Sequence, residues 1–592
     1  MATASANDSA DAYNSSTDAD TIYVTAQKLE ERSLQYLNTP AFGVGIGKKQ
    51  IAAVNAFNVE DTFKYAPNLN VRKRFIGDNN ATLAFRGSHS FQTPRALVSI
   101  DGFTISNFLG ASFDTAPKWG VIAPGDVDRV EIIYGPTSAR YSGHSLGGTL
   151  RLGTRDITEN EARLRTQVFR SQYDYYATDL NLDGYSVDAG LDFVIGDRAT
   201  LGVSYRYFQN EGQPQQWRRL VGGEERQALI DAGVVSAEYF NQAIQDDELT
   251  FLQIASEDSV VESTEQQIRV RGTYDFGNGW EGRGLLAMLI DEEDTTNPRS
   301  FLLDDTGAPS FIGVSGVSQG LSEDIELLVG LGLKGQLRGW AVDFALSRFD
   351  VLKSEDRRSD RFDTTTGLAS STGLITIADD TAWTSFEAIG ERTYGNHDIA
   401  IGASYAGYSF DRPRFSADNW FIGSEGDLVD ASGGETRLLG FFVEDAIRLS
   451  PQWLATFGVR AEFWGARNGF LVDGTDRVDY ANRSDDAISP KGALTYTPTD
   501  DWSFTASAAL ATRFPTVQEL YQPDLIAFGP NVNALDFGSF DPNLEPEEVL
   551  DLQLTASKTF SNAVVTVSLF RQKVDDTLFS QTVPELATSV TT

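Results

Sequence analysis

The feature that most constrains this chain is a hydrophobic period of two that begins near residue 160 and recurs along the rest of its length. Leu201, Val203, Tyr205 and Tyr207 alternate with Gly202, Ser204 and Arg206, and Ile268, Val270 and Tyr274 alternate with Arg269, Arg271 and Thr273. Trp453, Ala455, Phe457, Val459, Ala461 and Phe463 alternate with Thr456, Gly458, Arg460 and Glu462. Successive side chains of a strand point to opposite faces, so each segment is a strand with one apolar and one polar face. A soluble sandwich shows the same alternation, and the turns separate the two cases. Short turns read at Gly196-Asp197, Gly277-Asn278-Gly279, Arg338-Gly339, Gly395-Asn396, Ser450-Pro451, Thr499-Asp500 and Ser561-Asn562, with the residue types that tight turns need. Between them run long polar excursions, Glu211 to Asp258, Asp291 to Ser322 and Tyr521 to Leu544, well beyond an ordinary connection. Short turns at one end and long loops at the other describe an antiparallel transmembrane β-barrel.

Trp280, Trp340, Trp453 and Trp502 each open the strand after a short turn, the place of an interfacial aromatic belt. No apolar run reaches 18 residues, which excludes a spanning helix. A mean hydropathy of −0.25 is compatible with barrel strands, whose polar faces line the lumen. Acidic residues outnumber basic ones 84 to 48, a formal charge of −36, and nucleic acid is excluded as a partner because its binding rests on phosphate neutralisation. With no Cys, neither a disulfide framework nor a thiolate metal site exists. Residues 1–20 lack the basic start and apolar core of a signal peptide and read as a disordered tail.

From 21 to 157 the sustained alternation is absent. Short apolar segments separated by many turns describe a small α/β domain, with Ala96 to Ile100 and Val127 to Tyr134 as buried strands and Val54 to Tyr65 as a short helix. Arg86, Glu131 and Arg140 are charges within an apolar setting, and burying them is costly unless they pair with one another or with charges on the barrel wall.

Specific motifs sit in this domain. Thr21-Ile22-Tyr23-Val24-Thr25-Ala26 is a short extended segment after a polar tail. Asn55 to Asn68 contains a Pro near its end, Leu83-Ala84-Phe85-Arg86-Gly87 is an apolar-Arg-Gly element, and Ala96 to Gly102 is an apolar run ending in Asp-Gly. The most specific block runs from Asp126 through Glu131, Gly135-Pro136 and Arg140 to Tyr141, followed by Gly147-Gly148-Thr149-Leu150. In this order the elements resemble the plug of TonB-dependent outer-membrane receptors. The later segments Gly440 to Arg460, Arg513-Phe514-Pro515-Thr516 with Glu519-Leu520-Tyr521, and Asn543 to Glu547 resemble the family's barrel.

The resemblance implies a 22-strand type of barrel around an α/β plug, in the outer membrane of a Gram-negative bacterium. It divides the chain into a periplasmic tail (1–20), a TonB box (21–26), a plug (27–157) and a barrel (158–592). It implies import of a scarce small-molecule ligand, such as a ferric siderophore, corrinoid or carbohydrate, with no cofactor and no catalysis. It gives the TonB C-terminal domain as partner of Thr21, Ile22, Tyr23, Val24, Thr25 and Ala26, by strand addition, and outer-membrane lipid and lipopolysaccharide as the surroundings. It places the 88–93 loop at the plug apex, so that His89, Phe91, Gln92 and Phe108 become candidate ligand contacts.

Other signals carry less. Gly43 to Lys48 is glycine-rich but lacks the spacing of a phosphate loop and reads as a flexible plug linker. Asp291 to Asp294 reads as a solvated acidic loop rather than a Ca²⁺ site. The three histidines, His89, His144 and His397, form no triad or zinc pattern, which weakens a barrel-embedded hydrolase; a passive porin leaves the plug unexplained. One opening strand near Arg163 plus two for each of seven short turns gives 15 strands by about Asp575. Because bacterial barrels favour even counts, the sequence predicts that about seven strands, roughly 150 residues, are lacking at the C-terminal end.

Overall fold

The computed structural model describes residues 42–87, 93–245, 253–525, 535–561, 563–578, 580–583 and 588–591. Its N-terminal domain carries strands β1 (Gly43–Gly47), β2 (Leu69–Arg72), β3 (Thr82–Phe85), β4 (Ala96–Ile100), β5 (Phe103–Thr104), β6 (Val127–Tyr134) and β7 (Gly148–Thr154). Five of them form a mixed sheet in the order β1-β6-β7-β4-β5, parallel at β4–β7, and β2 and β3 pair separately. Val44, Val98, Ile100, Val130, Ile132, Leu150 and Leu152 are buried in its core.

Two sequence expectations change here. Gly43 to Gly47 is a strand rather than a linker: Val44 is fully buried and the segment pairs residue by residue with β6, from Gly43 opposite Ile133 to Gly47 opposite Arg129. Alternating glycines look like a linker in isolation, and only the partner strand makes them a sheet edge. The helix expected over 54–65 shrinks to a short 3-10 turn, Val59–Phe63.

The barrel follows as β8 (Glu161–Tyr175), β9 (Thr178–Ile195) and β10 (Ala199–Gly212), then β11 (Trp217–Arg219), β12 (Ile244–Gln245) and β13 (Gln253–Glu257) above the wall. Next come β14 (Val261–Gly277), β15 (Trp280–Asp294), the short β16 (Arg299–Ser300), β17 (Gly320–Leu337), β18 (Trp340–Ser359) and β19 (Gly373–Ile377). They are followed by β20 (Ala382–Tyr394), β21 (His397–Ala417), β22 (Leu428–Ser450), β23 (Trp453–Asp473), β24 (Asp476–Asp479), β25 (Arg483–Thr499) and β26 (Trp502–Arg513). The last are β27 (Asp524–Leu525), β28 (Leu535–Asp536), β29 (Glu547–Thr559), β30 (Val564–Asp575), β31 (Ser580–Val583) and β32 (Thr588–Thr591). Among the described residues seventeen strands make the ring, and setting aside the short β19 and β24 leaves the fifteen long strands that the turns predict.

Each predicted short turn that lies within the described residues joins two neighbouring long strands, and at Arg338-Gly339 both residues have positive φ, +52° and +84°, as a two-residue hairpin turn of the favoured twist requires. Trp280, Trp340, Trp453 and Trp502 each begin a strand at that end. The outward face carries exposed apolar side chains such as Leu286, Leu331, Phe441, Val443, Phe457 and Leu554, the band that lipid covers in a membrane barrel. Among the described residues no helix is long and apolar enough to cross a membrane.

The expected shortage of strands implies an open edge, whereas the strand order brings β30 round to β8. Among the described residues the paired register runs unbroken from β8 to β30, while the seam itself carries no extended ladder.

Two further features position the site. The core of the N-terminal domain is continuous with inward side chains of the wall, including Phe349, Trp383, Tyr408, Phe410 and Trp464, so the domain sits inside the barrel as a plug. Over one side lies a cap from the long excursions, comprising β11, β13, β12 and β16 with helix Gly223–Asp231. The cap has a hydrophobic core of its own: Leu220, Leu229, Tyr239, Phe240, Leu302, Val314 and Phe362.

Candidate functional site

The plug meets the wall in two different ways. Toward β20–β30 it is tied by paired charges. The Arg95 Nε donates to Glu547 Oε1 at 2.8 Å, and Arg513 donates to Glu519 at 2.9 and 3.0 Å and to Glu547 at 3.4 Å. Thr516 caps the same Glu519 carboxylate through its backbone N–H at 2.8 Å. Arg140 lies between Glu391 and Glu444, whose carboxylate also accepts from Ser138 Oγ at 3.0 Å and the Ala139 N–H at 2.9 Å. Lys491 Nζ donates to the Pro136 carbonyl at 2.5 Å. The Gly143 N–H reaches Glu462 at 3.1 Å, and a Cβ at Gly143 would stand 1.7 Å from the Thr512 carbonyl oxygen. That close approach explains a glycine there.

Toward β15–β21 the plug instead leaves a cavity of about 1090 Å³ beneath the cap, at the upper end of the size range of ligand sites. Asn79, Asn107, Asp114 and Lys118 line it from the plug, Trp217 and Arg218 from the cap, and Asp291, Asp324, Trp383 and Arg412 from the wall. Lys118 reaches Glu326 at 2.5 Å; burial works against its ammonium, and Glu326 outweighs burial and raises its pKa. Asn79 Nδ2 donates to Asp291 Oδ2 at 2.7 Å.

Asp291 to Asp294 is thus no loop. It is the top of β15, with Asp291 and Glu293 facing the cavity. A run of four acids reads as solvated loop from sequence, because alternate carboxylates facing a water-filled lumen break the apolar pattern used to recognise a strand.

The predicted site residues divide. Thr21 to Ala26 and His89, Phe91 and Gln92 lie outside the described residues. Phe108 is 3% exposed and does not line the cavity; it stacks on His144 at 4.3 Å and meets Tyr408 edge-on, while its neighbours Asn107 and Leu109 line the space. His144 is neutral at neutral pH, its pKa pushed down to about 4 by burial and then by the Arg513 guanidinium. Arg86, Glu131 and Arg140 do not pair with one another. Arg86 donates to Gln553 at 2.9 Å and faces Asp551 at 3.6 Å, Arg140 takes the wall carboxylates above, and Glu131 stands opposite Arg151, its pKa raised by burial.

Sequence reading missed Thr381, Trp383 and Arg412. The available signal was Phe410, Arg412 and Arg414 on alternate positions of one segment, which puts two guanidiniums on the same face as an aromatic ring.

Comparison with known proteins now bears on this architecture. Residues 252–591 match the family described as TonB dependent receptor-like, beta-barrel, and residues 37–149 match the TonB-dependent Receptor Plug Domain. The chain belongs to the TonB-dependent receptors. Among curated proteins, the receptor is 27% identical over 143 residues to the vitamin B12 transporter BtuB of Vibrio vulnificus (strain CMCP6), a match covering 24% of this chain and 22% of that protein. It therefore spans about a fifth of that relative's length. Among solved structures it is similar to the copper transporter OprC, with TM-score 0.63, 13% identity, and coverage of 97% of this chain and 75% of that one. It is also similar to the ferric yersiniabactin uptake receptor FyuA from Yersinia pestis, with TM-score 0.58, 12% identity, and coverage of 91% and 73%. These last two likenesses support the fold.

Proposed function

We propose that this receptor resides in the outer membrane of a Gram-negative bacterium, captures a small-molecule ligand in the cavity beneath the cap, and imports it with energy delivered by TonB at Thr21 to Ala26. The observation that carries the reading is the plug: it fills the barrel, shares one core with the wall and is tied to it by buried ion pairs. A ligand in the cavity thus has to displace packed, paired side chains to pass, which calls for work rather than diffusion and disfavours a passive porin. Named relatives that transport vitamin B12, copper and ferric yersiniabactin support import as the task and leave the ligand class open.

The test is Tyr23→Pro, which removes a backbone donor from a strand that pairs with a partner's sheet edge. Uptake in cells should fall to the level seen when the proton gradient is collapsed, with ligand binding to the purified receptor retained. Unchanged uptake in that variant overturns the TonB-box role.

A further inference from the structure

The cavity is chemically polarised. On its β15–β17 side, Asp291 stands directly opposite Asp324, and Asp291 is also directly opposite Glu265 on β14. Like charges facing each other across a ladder are destabilising. Among the described residues, no basic side chain comes within ion-pair distance of Asp291, Glu293 or Asp324, all of which line the cavity. Asp291 is 8% exposed, and its Oδ1 has no hydrogen-bond partner.

On the β21 side the imbalance has the opposite sign. The other arginines around the cavity are paired: Arg414 on β21 is held by Asp430 at 2.8 Å, Arg358 on β18 by Asp356 at 2.8 Å and Arg218 on β11 by Asp258 at 2.6 Å. The guanidinium of Arg412, two residues from Arg414 on the same face and also lining the cavity, has no hydrogen bond or ion pair among the described residues. In a chain of formal charge −36, an inward guanidinium without a carboxylate is the exception. Further along the same wall, where Trp383 stands opposite Tyr408, Trp383 is 1% exposed and Thr381 5% exposed, both line the cavity, and the Trp383 Nε1 and Thr381 Oγ1 have no partner. The Trp383 ring is fixed by parallel stacking on Phe349 at 4.0 Å, so its N–H is held in place. Unpaired buried polar groups cost stability and call for an explanation, and such departures gather where a protein binds something.

Building on the import reading, we propose that the ligand of this receptor is amphoteric. Its anionic group is taken by Arg412 with help from Trp383 Nε1 and Thr381 Oγ1, and its cationic group is taken by Asp291 and Asp324. A simple organic anion leaves the acidic wall uncompensated, and a simple cation leaves Arg412 unpaired. The two faces are four strand steps apart, roughly 19 Å along the wall at about 4.8 Å per step and less across the lumen. The ligand therefore carries its opposite charges well apart, as in a short peptide or a comparable zwitterion.

The experiment uses one backbone in four charge states: pentaalanine with free ends, N-acetylated, C-amidated and blocked at both ends, its extended reach roughly 17 Å. Binding to the purified full chain is measured by titration calorimetry. The free-ended peptide should bind tightest, with each blocked end costing tenfold or more. Arg412→Gln should abolish the advantage of the free carboxylate while keeping that of the free ammonium, and Arg412→Lys should restore part of it. Asp291→Asn with Asp324→Asn should do the converse. Equal binding of the four forms, no binding of any form at millimolar concentration, or uniform weakening of all four by Arg412→Gln overturns the proposal. A receptor that shows the charge preference yet imports normally with Tyr23→Pro would sink the TonB reading and leave this inference standing; one that imports by way of TonB without the preference would do the reverse.

Discussion

The two sides of the plug–wall interface carry similar residues under opposite rules. Toward β26 and β29, Arg95, Arg513, Glu519 and Glu547 are almost wholly enclosed and each charge has a partner. Toward β15 and β21, Asp291 Oδ1, Thr381 Oγ1 and Trp383 Nε1 have no hydrogen-bond partner, and among the described residues Asp324 and Arg412 form no ion pair. Burial of a charge is tolerable when the pairing is complete, so the first side is a structural seat. The second side retains polar capacity that the folded chain itself does not use. Within one interface, completeness of pairing separates residues that hold the plug from residues available to a ligand.

The largest effect expected from breaking this comparison is at the seat. Glu547→Ala leaves Arg95 without a carboxylate in an enclosed site and Arg513 with Glu519 alone, and should cost about 3–5 kcal/mol, read as a lower unfolding midpoint in detergent and faster proteolysis of the plug. If Glu547→Ala is silent, the seat is not structural.

A somewhat smaller effect is expected from pH. His144 has a folded pKa of about 4 against an ordinary value of 6.5, so the unfolded chain takes up a proton between those values that the folded chain refuses. Stability is retained above pH 6.5 and declines as pH falls toward 4, by on the order of 3 kcal/mol. Replacing His144 by Phe should flatten that decline, and an unchanged slope between pH 6.5 and 4 would show that His144 titrates freely in the fold.

The smallest effect sharpens the contrast. Arg412→Gln should leave the unfolding midpoint almost where it was, within about 0.5 kcal/mol, because no described side chain loses a partner. A cost comparable to that of Glu547→Ala would mean that Arg412 belongs to the seat after all.

Legibility from sequence followed physical range. The barrel strands were readable because their period of two is a local property, and the turns because Gly, Asn and Pro act within four residues. The seven turns fixed the fifteen long strands. The plug was readable through its ordered motifs, although Gly43 to Gly47 was not, since its strand character comes from Ile133 and its neighbours 90 residues away. The cavity was hardly readable. Asp291, Asp324, Trp383 and Arg412 are spread over 120 positions of chain, and whether a charge has a partner depends on register across the wall.

The odd number of long strands also settles sidedness. Each crossing of the wall exchanges one compartment for the other, so after fifteen crossings Asp576 is on the rim opposite Asn160. Leu578 bears this out by docking at the head of β29, where its N–H meets Glu547 at 3.3 Å. In whole cells, a membrane-impermeant maleimide should therefore label a cysteine placed at Asp576 and spare one placed at Asn160, a distinction that follows from parity alone.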